Sequence, residues 1–198
     1  MSSAVHRLAF KRRRAGSTDY ALRTKLLRSK LPQLIVRSSN KYVYVQVTSP
    51  TASGDRILTS ASSKELATFG WRLGSASIPA AYLVGYIAGL RAIGLGIPSA
   101  ILNMGLTTPT KGNRAFAAIG GAIEAGLNVP HQDDVMPSED RLYGRHIAEY
   151  VKKVKEAATP EARLTHFSRF FAEEGVDIEA EVQKAKGSIK RSITKGSE

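Results

Sequence analysis

The densest group of chemically competent side chains is Lys11-Arg12-Arg13-Arg14, four consecutive cations. Arg7 precedes them, and Arg23, Lys25, Arg28 and Lys30 follow. Cations packed this closely do one kind of chemistry well: they hold phosphates by displacing counterions from a polyanion. Like charges at this spacing repel each other, so the isolated segment is expected to be extended and mobile until phosphates order it. The competing reading is a solvated basic tail or a localisation signal, because short basic runs are ambiguous.

Other clusters are weaker. Gly105 to Gly112 reads G-L-T-T-P-T-K-G between a strand signal and a helix signal. A nucleotide-binding P-loop needs Gly directly before Lys and Ser or Thr directly after it, whereas Lys111 is followed by Gly112 and Asn113. What survives is a helix start whose free N–H groups, flanked by Lys111 and Arg114, could hold an RNA phosphate; the alternative is a capped surface loop. His131-Gln132-Asp133-Asp134 raises the question of a metal, but His6, His146 and His166 stand in no ligand spacing. No G-x-S-x-G elbow occurs and no carboxylate pair stands out. There is no cysteine, which removes disulfides, thiolate zinc sites and Cys nucleophiles. The expectation is a protein without cofactor, metal or small-molecule substrate, and not an enzyme.

The distribution of charge carries more than its total. The 198 residues have a formal net charge of +12, and a pI near 10.1 flags a nucleic-acid partner. Residues 1–50 hold 11 Lys/Arg against one acid, Asp19, and so supply +10 of that charge. A polyanion is expected on one side of the fold. With 42% hydrophobic residues the chain can build a core and is no disordered basic tail. The longest apolar stretch, 78–93, is interrupted by Pro79 and Arg91 and falls short of the roughly 20 residues of a spanning helix. No secretory signal is read at the N-terminus, which lacks an apolar core after its first charges. No membrane partner is expected.

The elements that must position these residues are legible in outline. Thr18 or Asp19 can cap a short helix to about Ser29, with Leu22, Leu26 and Leu27 facing inward, and Pro32 closes it. Gln33–Arg37 and Tyr42–Val47 read as a hairpin around Ser38-Ser39-Asn40-Lys41. Val43, Val45 and Val47 make its core face. Tyr42, Tyr44 and Gln46 make the other, beside Lys41 and Arg37. That second face suits base stacking and phosphate contact, or else packs its tyrosines beneath a helix or the arm. Ser49–Asp55 reads as a turn and Arg56–Ser60 as a third strand. Ser62 and Glu65 match a capping box for a helix to about Phe69.

A small-sided helix spans 78–93, and its Gly85-x-x-x-Gly89 is expected to let it lie close against the sheet. Gly94 and Gly96 stop it. Ser99–Asn103 reads as a buried strand that can run parallel to an earlier one after the helical crossover. A helix over 112–125 follows, ended by Gly126. Beyond Ser138 only helices are indicated: Arg141–Val154, another begun by Thr159-Pro160-Glu161 and ended by Gly175, then a charged tail from Asp177 that is expected to fray. The fold class is therefore α/β: a mixed β-sheet packed with helices, a basic extended N-terminal arm and a helical C-terminal extension.

An ordered series of segments carries a resemblance. K-R-R-R-A-G-S-T-D-Y (Lys11–Tyr20) resembles the N-terminal signature of the archaeal large-subunit ribosomal protein eighteen family. In register with it, Arg37-Ser38-Ser39-Asn40-Lys41-Tyr42 resembles that family's hairpin. Ser60 to Leu66 with Phe69-Gly70-Trp71, and Ala80-Ala81-Tyr82-Leu83-Val84-Gly85, resemble the segments that follow. Phe116–Gly126, Val129-Pro130-His131 and Asp140 to Ile147 complete the series, which covers about residues 7–155. Bacterial relatives resemble only the part to about Leu127, so the chain is similar to the archaeal/eukaryotic type.

The resemblance implies a structural constituent of the large ribosomal subunit that binds 5S rRNA and helps attach it to 23S rRNA in the central protuberance, among neighbouring large-subunit proteins in the cytoplasm. It also implies that the arm and hairpin are the main RNA contacts. Carried over position by position, these are Lys11, Arg12, Arg13, Arg14, Tyr20, Arg23, Arg37, Asn40, Lys41, Tyr42 and Ser62. Arg7, Lys25, Tyr44, Lys111 and Arg114 join them from charge and face pattern alone. The expected organisation is an arm and short helix over 1–30, an α/β RNA-binding core over 31–130 and a mostly helical extension over 131–198. Two rivals remain open: a phosphate-handling enzyme that uses the Lys111–Arg114 loop, and a nonspecific nucleic-acid chaperone.

Overall fold

Three valines two residues apart set the frame. In the computed structural model, which describes residues 8–51, 54–156 and 177–195, Val43, Val45 and Val47 are fully buried on one face of a strand. That strand, β2 (Val43–Thr51), pairs antiparallel with β1 (Gln33–Ser38) and with β3 (Gly54–Ser62). A short β4 (Ile101–Asn103) lies parallel to the far side of β1, giving the order β3-β2-β1-β4. The parallel pairing follows from the helical crossover, as the sequence indicated. The expected turn over Ser49–Asp55 is shorter than the sequence suggests. The ladder continues through Thr51 opposite Gly54, past a bulge between Val47 and Thr48. Cross-strand hydrogen bonding there outweighs the turn propensity of Ser, Pro and Gly.

Among the described residues the α-helices are, in chain order, α1 (Lys11–Arg14), α2 (Tyr20–Arg28), α3 (Ile78–Gly94), α4 (Arg114–Glu124), α5 (Glu139–Leu142), α6 (Arg145–Glu156) and α7 (Ile178–Lys195). The centre is α3, opened by Ser77, whose hydroxyl accepts from the Ala80 N–H at 3.3 Å. It is buried on nearly every side because the valine face, α4 and α7 surround it.

Its glycines do not face the sheet as expected. A Cβ on Gly85 would stand 1.8 Å from the Ala118 carbonyl oxygen, and one on Gly121 would stand 2.0 Å from the Tyr82 carbonyl oxygen. The small residues therefore bring the backbones of α3 and α4 together. The broad valine side chains of the sheet leave no room for so close an approach on that side.

Three further expectations change. Glu65–Phe69 is a 3-10 helix rather than an α-helix. Only half of the capping box forms, with the Ser62 N–H donating to the Glu65 carboxylate at 2.9 Å while Ser62 itself ends β3. The single helix expected over Arg141–Val154 is broken between α5 and α6 by Gly144, at φ 80°. There a Cβ would meet Ile178 at 2.7 Å. The tail from Asp177 does not fray. Ile178, Val182, Ala185 and Ile189 recur at helical spacing and bury themselves against the core, so α7 docks on α3. Lys186 reinforces this dock: its ammonium pairs with Glu124, which also accepts from the Tyr82 hydroxyl. The helix expected from Thr159 to Gly175 lies outside the described residues.

Candidate nucleic-acid interface

The basic run was expected to be extended. Instead Phe10–Arg14 closes one helical turn, with the Arg13 and Arg14 N–H groups donating to the Phe10 carbonyl at 2.9 and 3.0 Å. A single turn fans four cations around an axis and satisfies local backbone groups, while Gly16 at φ 60° redirects the chain. None of these residues is buried. Arg12 donates to the Thr18 hydroxyl at 2.7 Å, and the Arg13 guanidinium lies 6.0 Å from the centre of the Tyr20 ring. Neither contact neutralises a charge. Arg7 lies outside the described residues.

Asp19 caps α2 as the sequence indicated, its carboxylate accepting from the Leu22 N–H at 2.9 Å. The helix does not enter the core, however. Leu22 is 38% exposed, and Leu26 and Leu27 are only half-buried. The inner face of the sheet is already filled by α3, so α2 lies over the outer face. Between them is a cleft of about 530 Å³, lined among others by Arg12, Leu22, Ile35, Arg37 and Asn103.

One ion pair ties α2 down. Both guanidinium nitrogens of Arg23 reach the Asp55 carboxylate, at 2.6 and 2.7 Å. This fork holds the Asp55 carboxyl below, and the Arg23 guanidinium above, their ordinary pKa values. Arg23 is thus already engaged, unlike Lys25, which is exposed and has no carboxylate partner among the described residues.

The hairpin turn is organised by Ser39. Its hydroxyl accepts from the N–H groups of Lys41 and Tyr42 at 3.3 and 2.9 Å and donates to the Tyr42 carbonyl at 3.0 Å. Asn40 and Lys41 project from this turn and are exposed. On the outer face, register places Arg37 opposite Tyr44, and Tyr44 opposite Ser62, in one row across three strands. Tyr44 is 37% exposed, so the face is open at this tyrosine, while Tyr42 is half-buried. Tyr42 meets Tyr44 edge to face at 6.5 Å, and Lys64 stands 4.9 Å from the centre of the Tyr42 ring. Lys64 was not singled out from sequence. It sits inside the Ser62–Glu65 capping pattern, and nothing local shows that β3 returns it to Tyr42.

The Lys111–Arg114 loop makes several contacts within the fold. Lys111 pairs with Asp134 at 2.5 Å. The Gly112 N–H donates to the Val135 carbonyl at 2.9 Å, and Asn113 caps α4 by accepting from the Phe116 N–H at 3.0 Å. Arg114 donates to the Ser39 and Ala76 carbonyls at 2.9 and 3.3 Å. Arg114 thereby holds the hairpin turn against the start of α3. The arm, Arg37, Lys41 and the tyrosine face share the outer side of the sheet, whereas Lys111 belongs to the Asp134 loop. Among the described residues no three His, Cys, Asp or Glu side chains gather as metal ligands, and no helix is long and apolar enough to cross a membrane.

Residues 5–95 match a family model described as ribosomal large subunit proteins 60S L5 and 50S L18. Large ribosomal subunit protein uL18 of Caldivirga maquilingensis is 44% identical over 197 residues, covering 98% of this chain and 95% of that protein. The uL18 protein of Korarchaeum cryptofilum is 40% identical over 178 residues, 90% of this chain and 91% of its own. That of Aeropyrum pernix is 41% identical over 166 residues, covering 83% and 77%.

Proposed function

Because the chain belongs to the uL18 family of large-ribosomal-subunit proteins, which are structural constituents of the ribosome and not enzymes, we propose that its specific partner is 5S rRNA, which it helps attach to 23S rRNA in the central protuberance. The observation that carries this reading is the row of Arg37 and Tyr44 on an open sheet face beside the basic turn of α1. Lys11, Arg14, Lys25, Arg28, Arg37 and Lys41 have no carboxylate partner among the described residues, so their charge is available to phosphates. A rigid sheet with exposed aromatics between these cations offers stacking to unpaired bases and salt links to the strand on either side.

The 31–130 core is the RNA-binding unit in this proposal. The arm over 1–30 wraps the phosphate backbone, and the helical extension over 131–198 is left for neighbouring ribosomal proteins and 23S rRNA. Binding proceeds by counterion release. With roughly 6–10 phosphate contacts, affinity falls by about 10³–10⁵ between 50 and 200 mM salt. Selectivity comes from RNA shape, stacking and 2′-OH contacts rather than from a base-by-base code.

The deciding measurement is a gel-shift titration against 5S rRNA and a transfer RNA, at about 50 and about 200 mM salt. Tighter binding to 5S rRNA at the higher salt is expected. Equal binding to both, lost at the higher salt, would reduce the protein to a nonspecific chaperone.

A further inference from the structure

Next to the hairpin is a second cleft, with no arm residue lining it among the described residues. It holds about 390 Å³ and is lined among others by Tyr42, Lys64, Trp71, Arg72 and Ser75. That volume lies within the roughly 300–1,000 Å³ typical of small-ligand sites. Its two cations are exposed, and no carboxylate lines it. The nearest acid in sequence, Glu65, is fully engaged: one oxygen accepts from the Ser62 N–H and the other from Arg91. Lys64 is left facing the Tyr42 ring, and Arg72 has no acceptor among the described residues.

The walls are aromatic and one of them is incompletely satisfied. Trp71 is 5% exposed, and its indole N–H is buried without a hydrogen-bond partner. A buried donor left unpaired is costly, so an acceptor brought in from outside is favoured. Tyr42 links the cleft to the tyrosine face, where it meets the exposed Tyr44 edge to face.

The geometry points to a pocket for one unstacked RNA nucleotide, with its phosphate between Lys64 and Arg72 and its base against Tyr42 and Trp71. An anionic ligand with an aromatic ring matches the paired cations, the aromatic walls and the unmet donor together. A bare phosphate would use only the cations, and a neutral aromatic only the walls. The inference rests on the RNA-binding reading above and extends that surface from Tyr42 to Lys64, Trp71 and Arg72.

Trp71 is the only tryptophan in the chain, so its emission reports on this cleft directly. The full-length protein is titrated with an oligouridylate of roughly six nucleotides, within the usual site size of single-strand binders, and separately with inorganic phosphate. Saturable quenching by the oligonucleotide but not by phosphate is expected. The exposed pair Lys64→Ala and Arg72→Ala together should abolish the quenching with the circular dichroism unchanged. The same pair should lower the salt slope for 5S rRNA by about 0.7, the value for one single-strand phosphate contact.

Absence of quenching, or equal quenching of the double variant, would overturn the pocket. Equal quenching by phosphate would make it an anion site only and overturn the nucleotide assignment. Selective 5S rRNA binding without Trp71 quenching would remove the pocket and leave the proposed function standing. Quenching that depends on Lys64 and Arg72, in a protein that does not prefer 5S rRNA to transfer RNA, would do the reverse.

Discussion

Replacing Arg12, Arg13 and Arg14 together with alanine removes three guanidinium groups from a turn that buries nothing. Among the described residues, their side-chain contacts are the Arg12–Thr18 hydrogen bond and the Arg13–Tyr20 approach, both at the surface, and neither neutralises a charge. Each phosphate contact contributes about 0.9 to the slope of log affinity against log salt on a duplex, so three contacts contribute about 2.7. Raising the salt from about 50 to about 200 mM should therefore cost the variant roughly 40-fold less affinity than it costs the wild type. At the lower salt the variant binds more weakly, because the contacts themselves are gone.

Alanine favours the helical turn, and surface changes of this kind usually alter stability by less than about 0.5 kcal/mol. For a chain of this size that shifts the melting temperature by no more than about 2 °C. The assay is a filter-binding or gel-shift titration against 5S rRNA at several salt concentrations, paired with a thermal melt. An unchanged slope would show that the arm makes no phosphate contacts. A melting temperature lowered by many degrees would show that these arginines hold the fold rather than RNA.

Two further outcomes follow from the packing and the charges. Gly85→Ala places a methyl group 1.8 Å from the Ala118 carbonyl oxygen, so α3 and α4 must separate. Overpacking of about 3 kcal/mol, offset by about 1 kcal/mol of helix propensity, leaves a net loss near 2 kcal/mol in urea unfolding. Gly187→Ala on α7, where nothing lies within 4 Å, should gain up to about 1 kcal/mol, and equal effects at the two glycines would contradict the contact. Asp55→Asn removes the acid that pins α2. Amide exchange across Tyr20–Arg28 should quicken at neutral pH while α3 stays protected, and unchanged exchange in α2 would refute the tether. Lowering the pH should do the same to the wild type. The folded pKa of Asp55 lies below its ordinary 3.8, so the contribution is complete above that value and disappears as the pH falls through the folded pKa. Both partners are partly exposed, so less than about 1 kcal/mol is at stake.

Much of this molecule is written in short stretches of chain. The alternation of Val43, Val45 and Val47 set the core face of the hairpin, because side chains in a strand point to opposite sides at every step. Asp19 as the α2 cap, the parallel strand after α3 and the stop near Gly126 were readable for similar local reasons. So was the crowding of charge into residues 1–50, and with it the expectation of a polyanion. The α7 helix was missed, although Ile178, Val182, Ala185 and Ile189 repeat at helical spacing. The many charges between them masked the pattern.

What the sequence could not decide is which partner each charged or small side chain meets. Arg23 and Asp55 are 32 residues apart, and Arg114 and Ser39 are 75 apart, so no local pattern shows that Arg23 is spoken for or that Arg114 clamps the hairpin. Lys111 looked as free as Lys41 until the loop around Asp134 folded beside it. Gly85 announced a close approach but not its direction, which depended on α4 offering Ala118 and Gly121 where the sheet offered valines. Secondary structure depends on neighbours in the chain and is legible there. Whether a cation is left free for RNA depends on long-range charge pairing and on the order in which surfaces are buried, and only the tertiary fold fixes those.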